Sequence, residues 1–201
     1  DGTEAIRLNP LDETQWDYMG NRDWTSYFLN RSTFSQNHQV AVSGATKKTN
    51  FYLSAGYDGE DGVLSRIASE DSYSRYATRG KVKYNVADWL SVSNNTSFVL
   101  TQRKKPSYYN LDDLYNAKPS DMDRNTDGTW ANTDLGLALA QIVDGGKENT
   151  ENTRLQSTFA AELSLWKRLL VVNGDLTFAI SHEDYDWYQN KYKIGYGPED
   201  I

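Results

Sequence analysis

One stretch of the sequence has the spacing of a metal-binding loop. In an EF-hand calcium loop, oxygen ligands at positions 1, 3 and 5 precede a turn glycine, position 7 contributes its carbonyl, and a carboxylate closes the site at position 12. Gly128 stands at the position of the turn glycine. The candidate ligands, in chain order, are Asp123, Asn125, Asp127, Thr129 and Asp134. The spacing makes calcium the one metal ion that the sequence suggests.

The same stretch has a simpler interpretation. Asn125-Thr126-Asp127-Gly128 is an ordinary turn sequence. Asp134 suits the N-cap of a short helix that would carry Leu135, Leu139 and Ile142. Position 12 is Asp rather than the longer Glu, and no flanking helix is expected before Asp123. We favour a turn followed by a helix and keep calcium as the alternative.

Nothing else in the sequence points to catalysis. The two histidines, His38 and His182, lie outside any Gly-x-Ser-x-Gly or His-Glu-x-x-His context. Cysteine is absent, which excludes disulfides, thiolate zinc sites and thiol nucleophiles. With 28 acidic residues, pairs of carboxylates arise by chance, so they do not indicate glycoside hydrolysis. We predict that the protein is not an enzyme and has no cofactor, calcium aside.

Composition narrows the class of protein further. The chain has 201 residues and a net charge of −7, which argues against non-specific nucleic-acid binding. Mean hydropathy is −0.75, and no run approaches the roughly 18 apolar residues of a membrane-spanning helix. Tyr and Trp are nevertheless abundant, at 14 and 6 residues. These side chains suit interfaces that are apolar on one side and wet on the other.

The dominant periodicity is two, which indicates β-strands. From Thr153 to Trp166, apolar residues such as Leu155 and Phe159 alternate with polar ones, and the alternation resumes after 167–169. Asn94 and Thr96 interrupt the apolar face of the strand from Trp89 to Gln102, so we expect a bulge near Asn94-Asn95. Six such strands are predicted in total.

The connections between these strands alternate between short and long. The short ones are 44–48, 85–88 and 167–169, and the long ones are 58–72, about 103–151, and 185 onward. Tight turns all at one end are typical of an outer-membrane barrel rather than a soluble sandwich. We therefore predict an all-β, antiparallel up-and-down meander of about six long strands, part of a large transmembrane β-barrel, with long extracellular loops containing a short helix.

This interpretation divides the chain into three parts. Residues 1–36 would form a loop and a short helical segment leading into the barrel, 37–184 the barrel wall, and 185–201 the start of another extracellular loop. Aromatic residues would form girdles at both membrane interfaces. Beside the short turns these are Tyr84, Trp89 and Trp166, and near the long loops Tyr57, Tyr73 and Tyr76. Polar residues expected to point into the lumen, towards a plug or solvent, are Arg79, Lys81, Lys83, Arg154, Glu162 and Asp175.

Several stretches resemble the barrel region of SusC/RagA-type TonB-dependent transporters. The most specific is the run Asn-His…Val-Ser-Gly…Thr-Asn-Phe-Tyr…Gly-Tyr between residues 37 and 57. Supporting matches are Asp23-Trp24, Gly62-Val63-Leu64, Tyr84 to Leu90, Asp127 to Asn132 and the Leu-rich stretch before Gly145-Gly146. The resemblance covers roughly residues 21 to 198.

The resemblance implies a function as well as a fold. Members of this family are plugged barrels of the bacterial outer membrane, energised through TonB, that import glycans or peptides with a SusD-like surface lipoprotein. Barrels of the wider class have about 22 strands, so six strands are expected to be part of the wall. The TonB box, the plug and the closing strand would belong to the rest of a longer chain.

Aromatic residues of the predicted loops are candidates for ligand contact, because ring faces bind the apolar CH surfaces of sugars. They are Tyr108, Tyr109, Tyr115, Trp130, Tyr185, Trp187 and Tyr188. Loop packing or contact with the lipoprotein partner explains them equally well and is favoured. Two other interpretations of the whole chain stay open at this point. One is a soluble β-domain that binds carbohydrate through surface aromatics, and the other is a structural or adhesion-like β-domain.

Overall fold

The computed structural model describes residues 6–68, 70–166 and 169–198. Ten strands and three short helices are found in this part of the chain. In chain order they are β1 (Ile6–Asn9), β2 (Asp12–Tyr18), α1 (Trp24–Phe28), β3 (Ser35–Ala45), β4 (Thr49–Asp61), β5 (Ser72–Ala87), β6 (Leu90–Pro106), α2 (Leu111–Tyr115), β7 (Trp130–Ala131), α3 (Asp134–Val143), β8 (Gly146–Leu165), β9 (Leu170–Gln189) and β10 (Ile194–Gly195).

Six long strands form one antiparallel sheet in the order β3-β4-β5-β6-β8-β9. Each of them pairs with the long strand before or after it in the chain, so the sheet is a meander, as predicted. The short connections 46–48, 88–89 and 166–169 lie at one end, which we call the short-turn end. The long connections 62–71 and 107–145 lie at the other, the long-loop end. The predicted mostly-β class is confirmed.

The strands extend further towards the long-loop end than the sequence pattern predicted. The loops expected at 58–72, at 103–151 and from 185 onward are shortened, because β4, β6, β8 and β9 continue into them. Cross-strand polar contacts hold these extensions together. Gln102 donates to Glu151 at 2.7 Å, and Lys105 pairs with Glu148 at 2.8 Å. Paired polar residues sustain the ladder where hydrophobic alternation has ended.

The predicted bulge near Asn94-Asn95 is wrong. Pairing is regular there, and the irregularity in β5–β6 pairing lies between Asn85 and Ala87 instead. The Asn94 side chain stays on the apolar side of the sheet because its polar atoms find partners there. Its amide donates to Ser157 Oγ at 3.0 Å, and its oxygen accepts from the Thr96 hydroxyl at 2.9 Å. A satisfied polar group needs no change of register.

The two faces of the sheet differ in polarity. We call the face carrying Leu155, Phe159 and Leu176 the apolar face and the opposite one, carrying Arg79 and Lys81, the polar face. Large side chains of the apolar face are uncovered: Leu176 is 58% exposed and Val40 is 68% exposed. A sheet that folds alone in water buries its apolar face against another layer. Here no described residue covers it.

The hydrophobic core lies in the segments at the long-loop end, which we call the loop cap: residues 6–34, 62–68 with 70–71, 107–145 and 190–198. Its largest fully buried side chains include Phe28, Leu64, Leu114, Leu135 and Ile142. None of the buried apolar residues of the described core comes from the six long strands. The cap is therefore the part of this chain that packs as soluble proteins do.

Residues 1–36 contain more structure than the predicted loop and helix. The helix α1 is present, with Asp23 as its N-cap, but it follows a hairpin of β1 and β2 that the sequence analysis did not predict. Short strands with few apolar residues give little periodic signal. Residues 1–5 lie outside the described part of the chain.

The helix α3 supplies much of the cap core. Thr133, not Asp134 as predicted, is its N-cap: the Thr133 hydroxyl accepts from Gly136 N–H at 2.9 Å and donates to the Met122 carbonyl at 2.8 Å. Asp134 is the first helical residue. Leu135, Leu139 and Ile142 of this helix are buried, as the spacing predicted. Within the described residues, no helix is long and apolar enough to cross a membrane.

Candidate functional site

Asn125, one of the candidate calcium ligands, is a buried hydrogen-bond centre of the loop cap. Its amide nitrogen donates to Thr129 Oγ1 at 3.0 Å, to the Trp130 carbonyl at 3.3 Å and to the Gly195 carbonyl at 2.9 Å. Its oxygen accepts from the Tyr18 hydroxyl at 2.8 Å. Both polar atoms of the amide are engaged by protein groups. In this arrangement Asn125 joins β2, β7 and β10.

The other members of the predicted calcium loop also have separate roles. Asp127 Oδ1 accepts from the N–H and the hydroxyl of Thr129, and these hydrogen bonds lower the pKa of the Asp127 carboxyl. Asp123 uses its backbone carbonyl to accept from Ala131 N–H, while Asp134 is exposed at the start of α3. No group of three or more His, Asp or Glu side chains in the described residues is placed to hold a metal ion. The geometry fits the turn interpretation.

Trp130, a candidate for ligand contact, belongs to the cap core. It is 5% exposed, and its indole N–H donates to Asp144 Oδ2 at 2.7 Å. The Arg124 guanidinium stacks on its ring, 3.6 Å from the centroid. Both faces of the ring therefore have little area for a ligand.

The remaining candidate aromatics do not form one platform. Tyr108 is half-buried, and its hydroxyl donates to Asp113, which raises the pKa of the phenol. Tyr115 is exposed at the end of α2. Tyr185 and Trp187 lie on the β9 strand, on the polar face, whereas the neighbouring Tyr188 lies on the apolar face. These last three were expected in a loop from 185 onward, but the strand runs to Gln189.

Tyr109 does line a cleft, at the junction of the loop cap and the polar face. The cleft has a volume of ≈ 380 Å³ and includes Tyr73, Tyr109, Arg103 and the carboxylates of Glu60, Asp61 and Asp71 among its lining residues. Burial and the adjacent Asp71 raise the pKa of Tyr109. Ring faces, carboxylates and a guanidinium together suit a ligand that has both apolar CH surfaces and hydroxyl groups.

Sequence reasoning missed the role of Tyr73 in this cleft. Tyr73 was assigned to the long-loop girdle with Tyr57 and Tyr76, but it lies opposite Glu60 and Arg103 on the polar face. The sequence contained the information needed to place Tyr73 on the polar face. Tyr73 and Arg75 are two residues apart in β5, and residues two apart lie on the same face of a strand.

The other aromatic residues of the predicted girdles lie near the two ends of the sheet. His38, Tyr57 and Tyr76 lie side by side on three adjacent strands, with ring centroids 6.4 Å and 5.0 Å apart. At the short-turn end, the exposed aromatics are Tyr84, Trp89 and Trp166. Aromatic side chains are therefore found at both ends of the sheet, although Trp89 lines a cleft together with Lys83 and Glu162 of the polar face.

The residues predicted to line a lumen share one face. They are Arg79, Lys81, Lys83, Arg154, Glu162 and Asp175, all on the polar face. Lys83 and Glu162 form an ion pair at 3.4 Å. Clefts of ≈ 880 Å³ and ≈ 400 Å³ are lined mainly from this side, so the sheet is concave on its polar face and convex on its apolar face.

Comparison with known proteins does not assign the chain to a family. No protein-family model matches it, and no curated protein is significantly similar to it. The features of the chain that bear on function are the two faces of the sheet, the loop cap, and the cleft where the cap meets the polar face.

Proposed function

We propose that this chain is part of the wall of a TonB-dependent transporter barrel in the bacterial outer membrane, which imports glycans or peptides with a SusD-like surface lipoprotein. The observation that carries the proposal is the exposure of the apolar face, which on the inner strand β4 exceeds that of the polar face. On β4, Phe51 and Leu53 of the apolar face are exposed, whereas Tyr52 and Ser54 of the polar face are partly buried in the concave side. A lipid-facing wall has this arrangement, and a water-soluble sheet has the opposite one.

An uncovered apolar face is costly in water. Apolar surface left in water costs about 25 cal/mol per Å², and all described residues of β9 are exposed, including Leu176, Phe178 and Ile180. Lipid tails remove this cost because they are as apolar as the side chains. The outer-membrane lipid is therefore the partner that best fits the apolar face.

The height of the apolar surface fits a bilayer. On β9 it runs from Leu170 to Ile180, about 11 residues, or roughly 36 Å at the usual rise per residue. At the roughly 45° tilt of barrel strands, this length spans about 25 Å, the height of the lipid-facing band of outer-membrane barrels. Beyond it, the same face carries Asp184, Asp186 and Glu151, as expected for strand ends in water.

The remaining parts of the proposal come from the resemblance to SusC/RagA-type transporters. The loop cap stands at the end of the sheet where such barrels meet their SusD-like lipoprotein. TonB would act through another part of the full-length chain. The cleft at Tyr73 and Tyr109 gives sugar or peptide groups a polar and aromatic surface at the cap end of the polar face.

The same cleft favours a second candidate, a soluble β-domain that binds carbohydrate. Its aromatic and charged lining would serve a sugar equally well outside a membrane. The uncovered apolar face weighs against this alternative, because a soluble sheet with such a face aggregates.

A spin-label scan of β9 tests the membrane part of the proposal. These 201 residues contain no cysteine. Single cysteines at Asp175, Leu176, Thr177 and Phe178, in a full-length chain whose other cysteines are replaced, therefore report individual positions in bilayers. We expect high accessibility to oxygen at 176 and 178, and preferential accessibility to a water-soluble nickel chelate at 175 and 177. Equal nickel accessibility at all four positions would show that the apolar face does not meet lipid.

A transport assay tests the second part of the proposal, the TonB-dependent import of a glycan or peptide. Cells that express the full-length chain should accumulate a fluorescent oligosaccharide or peptide, and the same cells without TonB should not. Tyr73→Ala with Tyr109→Ala should reduce uptake, while Tyr115→Ala, an exposed tyrosine outside the cleft, should leave it unchanged. TonB-independent uptake would contradict the transporter assignment even if the spin-label profile agrees with it.

A further inference from the structure

Three neighbouring rows of polar-face residues at mid-height carry positive charge and no negative charge. The rows cross all six strands and contain Arg154, Arg79 and Lys81, respectively. Every other residue in them is Ser, Thr, Asn, Gln, Tyr, Ala, Gly or Val. We call these rows the cationic band. The whole chain has 28 acidic residues and a net charge of −7. The cationic band has three cations and no acidic residue, so the sign of its charge is opposite to that of the chain.

In the described part of the chain, the side chains that accept hydrogen bonds from the cations of the band are neutral. Arg79 donates through Nε to the neutral Asn95 side chain at 2.9 Å, and Arg154 lies 3.5 Å from the Gln156 oxygen. None of the salt bridges among the described residues includes Arg79, Lys81 or Arg154.

The rows on either side behave differently. Towards the long-loop end, Arg75 pairs with Asp58 at 3.0 Å, and towards the short-turn end Lys83 pairs with Glu162 at 3.4 Å. The nearest rows above and below the band thus hold ion-paired cations. Within these five rows, the cations without an ion pair among the described residues are those of the band.

The shape of the sheet strengthens the attraction of these unpaired cations for anions. The band lies on the concave face, and a cleft with an excess of one sign of charge concentrates the field and attracts ions of the opposite sign. The cleft of ≈ 400 Å³ on this face is lined by Arg79 together with Tyr52, Ser54 and Ser97, and also by the ion-paired Arg75 and Asp58, so two guanidinium groups face one carboxylate. Guanidinium groups bind carboxylate or sulfate oxygens through paired hydrogen bonds, and hydroxyl side chains around them match sugar hydroxyls.

We propose that the cationic band binds the carboxylate or sulfate groups of an acidic oligosaccharide. This inference deepens the proposed function and rests on it for the step from binding to import: the transported substrate is an acidic glycan. Binding itself requires the concave polar face and no membrane. Tyr52 provides a ring face within the same cleft, which an acidic sugar uses and a simple inorganic anion does not.

The test compares ligands on the full-length protein in detergent solution. Calorimetry with trigalacturonate, a sulfated trisaccharide and neutral maltotriose should give binding for at least one of the two acidic sugars and much weaker binding for maltotriose. The acidic sugar that binds identifies the anionic group. Arg79→Gln with Lys81→Gln should weaken this binding about tenfold or more, since charge-assisted hydrogen bonds are lost. Affinity should also fall as salt is raised from 0.05 to 0.5 M.

A matched control removes the same charge elsewhere. Lys191→Gln with Lys193→Gln changes two exposed cations of the loop cap and should leave acidic-sugar binding unchanged. Equal loss in both double variants would show that net charge alone matters and would overturn the proposal. Equally tight binding of pentaglutamate would overturn it in favour of an acidic peptide.

Two further outcomes would also contradict the proposal that the cationic band binds an acidic sugar. If neither acidic sugar binds more tightly than maltotriose, the face has no preference for anions. If Arg79→Gln with Lys81→Gln lowers the melting temperature and leaves acidic-sugar binding unchanged, the cations hold an acidic segment of the protein itself. Positive binding with a negative spin-label profile would retain the anion site and remove the membrane assignment, so the two failures are distinguishable.

Discussion

The hydroxyl of Tyr18 donates a 2.8 Å hydrogen bond to the side-chain oxygen of Asn125, which lies 107 residues later in the chain. The Asn125 amide nitrogen, on the other side, reaches the carbonyl of Gly195 at 2.9 Å. One buried side chain thus links the N-terminal hairpin, the turn before β7 and the strand β10. The loop cap depends on this link as much as on its apolar core.

Replacing Asn125 by Asp tests the link. The substitution exchanges the amide donor for an acceptor, so the Trp130 and Gly195 carbonyls lose their partner and a carboxylate is buried. We expect the free energy of unfolding of the cap to fall by roughly 1–3 kcal/mol for each buried group left unpaired. The melting temperature and the rate of proteolysis within 107–145 report it. Asn132→Asp, at an exposed position, is the control and should change neither.

The N-cap of α1 makes part of the cap sensitive to pH. Hydrogen bonds from the side chains of Ser26 and Thr25 lower the pKa of the Asp23 carboxyl from 3.8 to about 2. A lowered pKa in the folded state means that the ionised carboxyl stabilises the fold above pH 3.8 and that this contribution is lost as the pH falls towards 2. The buried Trp24 of α1 reports the change by fluorescence. Asp23→Asn should remove this pH dependence, and an identical titration in the variant would contradict the assignment.

Replacement by Ala should change the stability of the protein to different extents at two glycines of the sheet. Gly146 has a φ of 118°, and an added Cβ would lie 2.1 Å from the Tyr188 carbonyl oxygen. Gly174, on β9, has no atom within 4 Å of a built Cβ. Gly146→Ala should therefore destabilise the start of β8 by about 1–3 kcal/mol, while Gly174→Ala should be neutral or slightly stabilising. Thermal unfolding of both variants checks the pair, and equal effects would be inconsistent with this backbone geometry.

The proposed contact of the apolar face with lipid predicts that an added charge is tolerated there less well than at a neighbouring position. Leu176→Arg places a guanidinium on the apolar face near the middle of the proposed lipid-facing height, at an expected cost of roughly 2–4 kcal/mol. Thr177→Arg adds the same group to the polar face and should cost much less. Equilibrium unfolding from bilayers, or the fraction of full-length chain that assembles in the membrane, measures the difference. If both variants assemble equally well, the apolar face is not against lipid.

The sheet was predictable because its signal is local. Side chains alternate between the two faces of every strand, so parity alone places Arg79 and Leu155 on opposite sides before any partner is known. The number of strands and the alternation of short and long connections follow from the same pattern. Strand ends were less predictable, since beyond Ile180 the apolar face turns polar while the backbone ladder continues to Gln189.

The loop cap and its side-chain roles were not predictable in the same way. Spacing places Asn125 in a calcium pattern, but whether its amide meets a cation or the Tyr18 hydroxyl depends on a segment more than a hundred residues away. Trp130 is an aromatic residue in a loop, and only the packing of α3 and Arg124 explains why it is buried. Long-range packing of short elements leaves no periodic trace in the sequence.

The nearest-neighbour order of the sheet bears on how the chain folds. Hairpins such as β3–β4 and β5–β6 close short loops, and loop-closure entropy grows only slowly with length, so strands can be added one at a time. The cap core contains both Ile6 and Ile142, so it depends on contacts of high sequence separation, and such contacts form slowly. Assembly of the cap therefore comes after the β6–β8 hairpin brings the ends of the 107–145 loop together. A folded loop cap therefore indicates that the strands beneath it have already paired in the correct register.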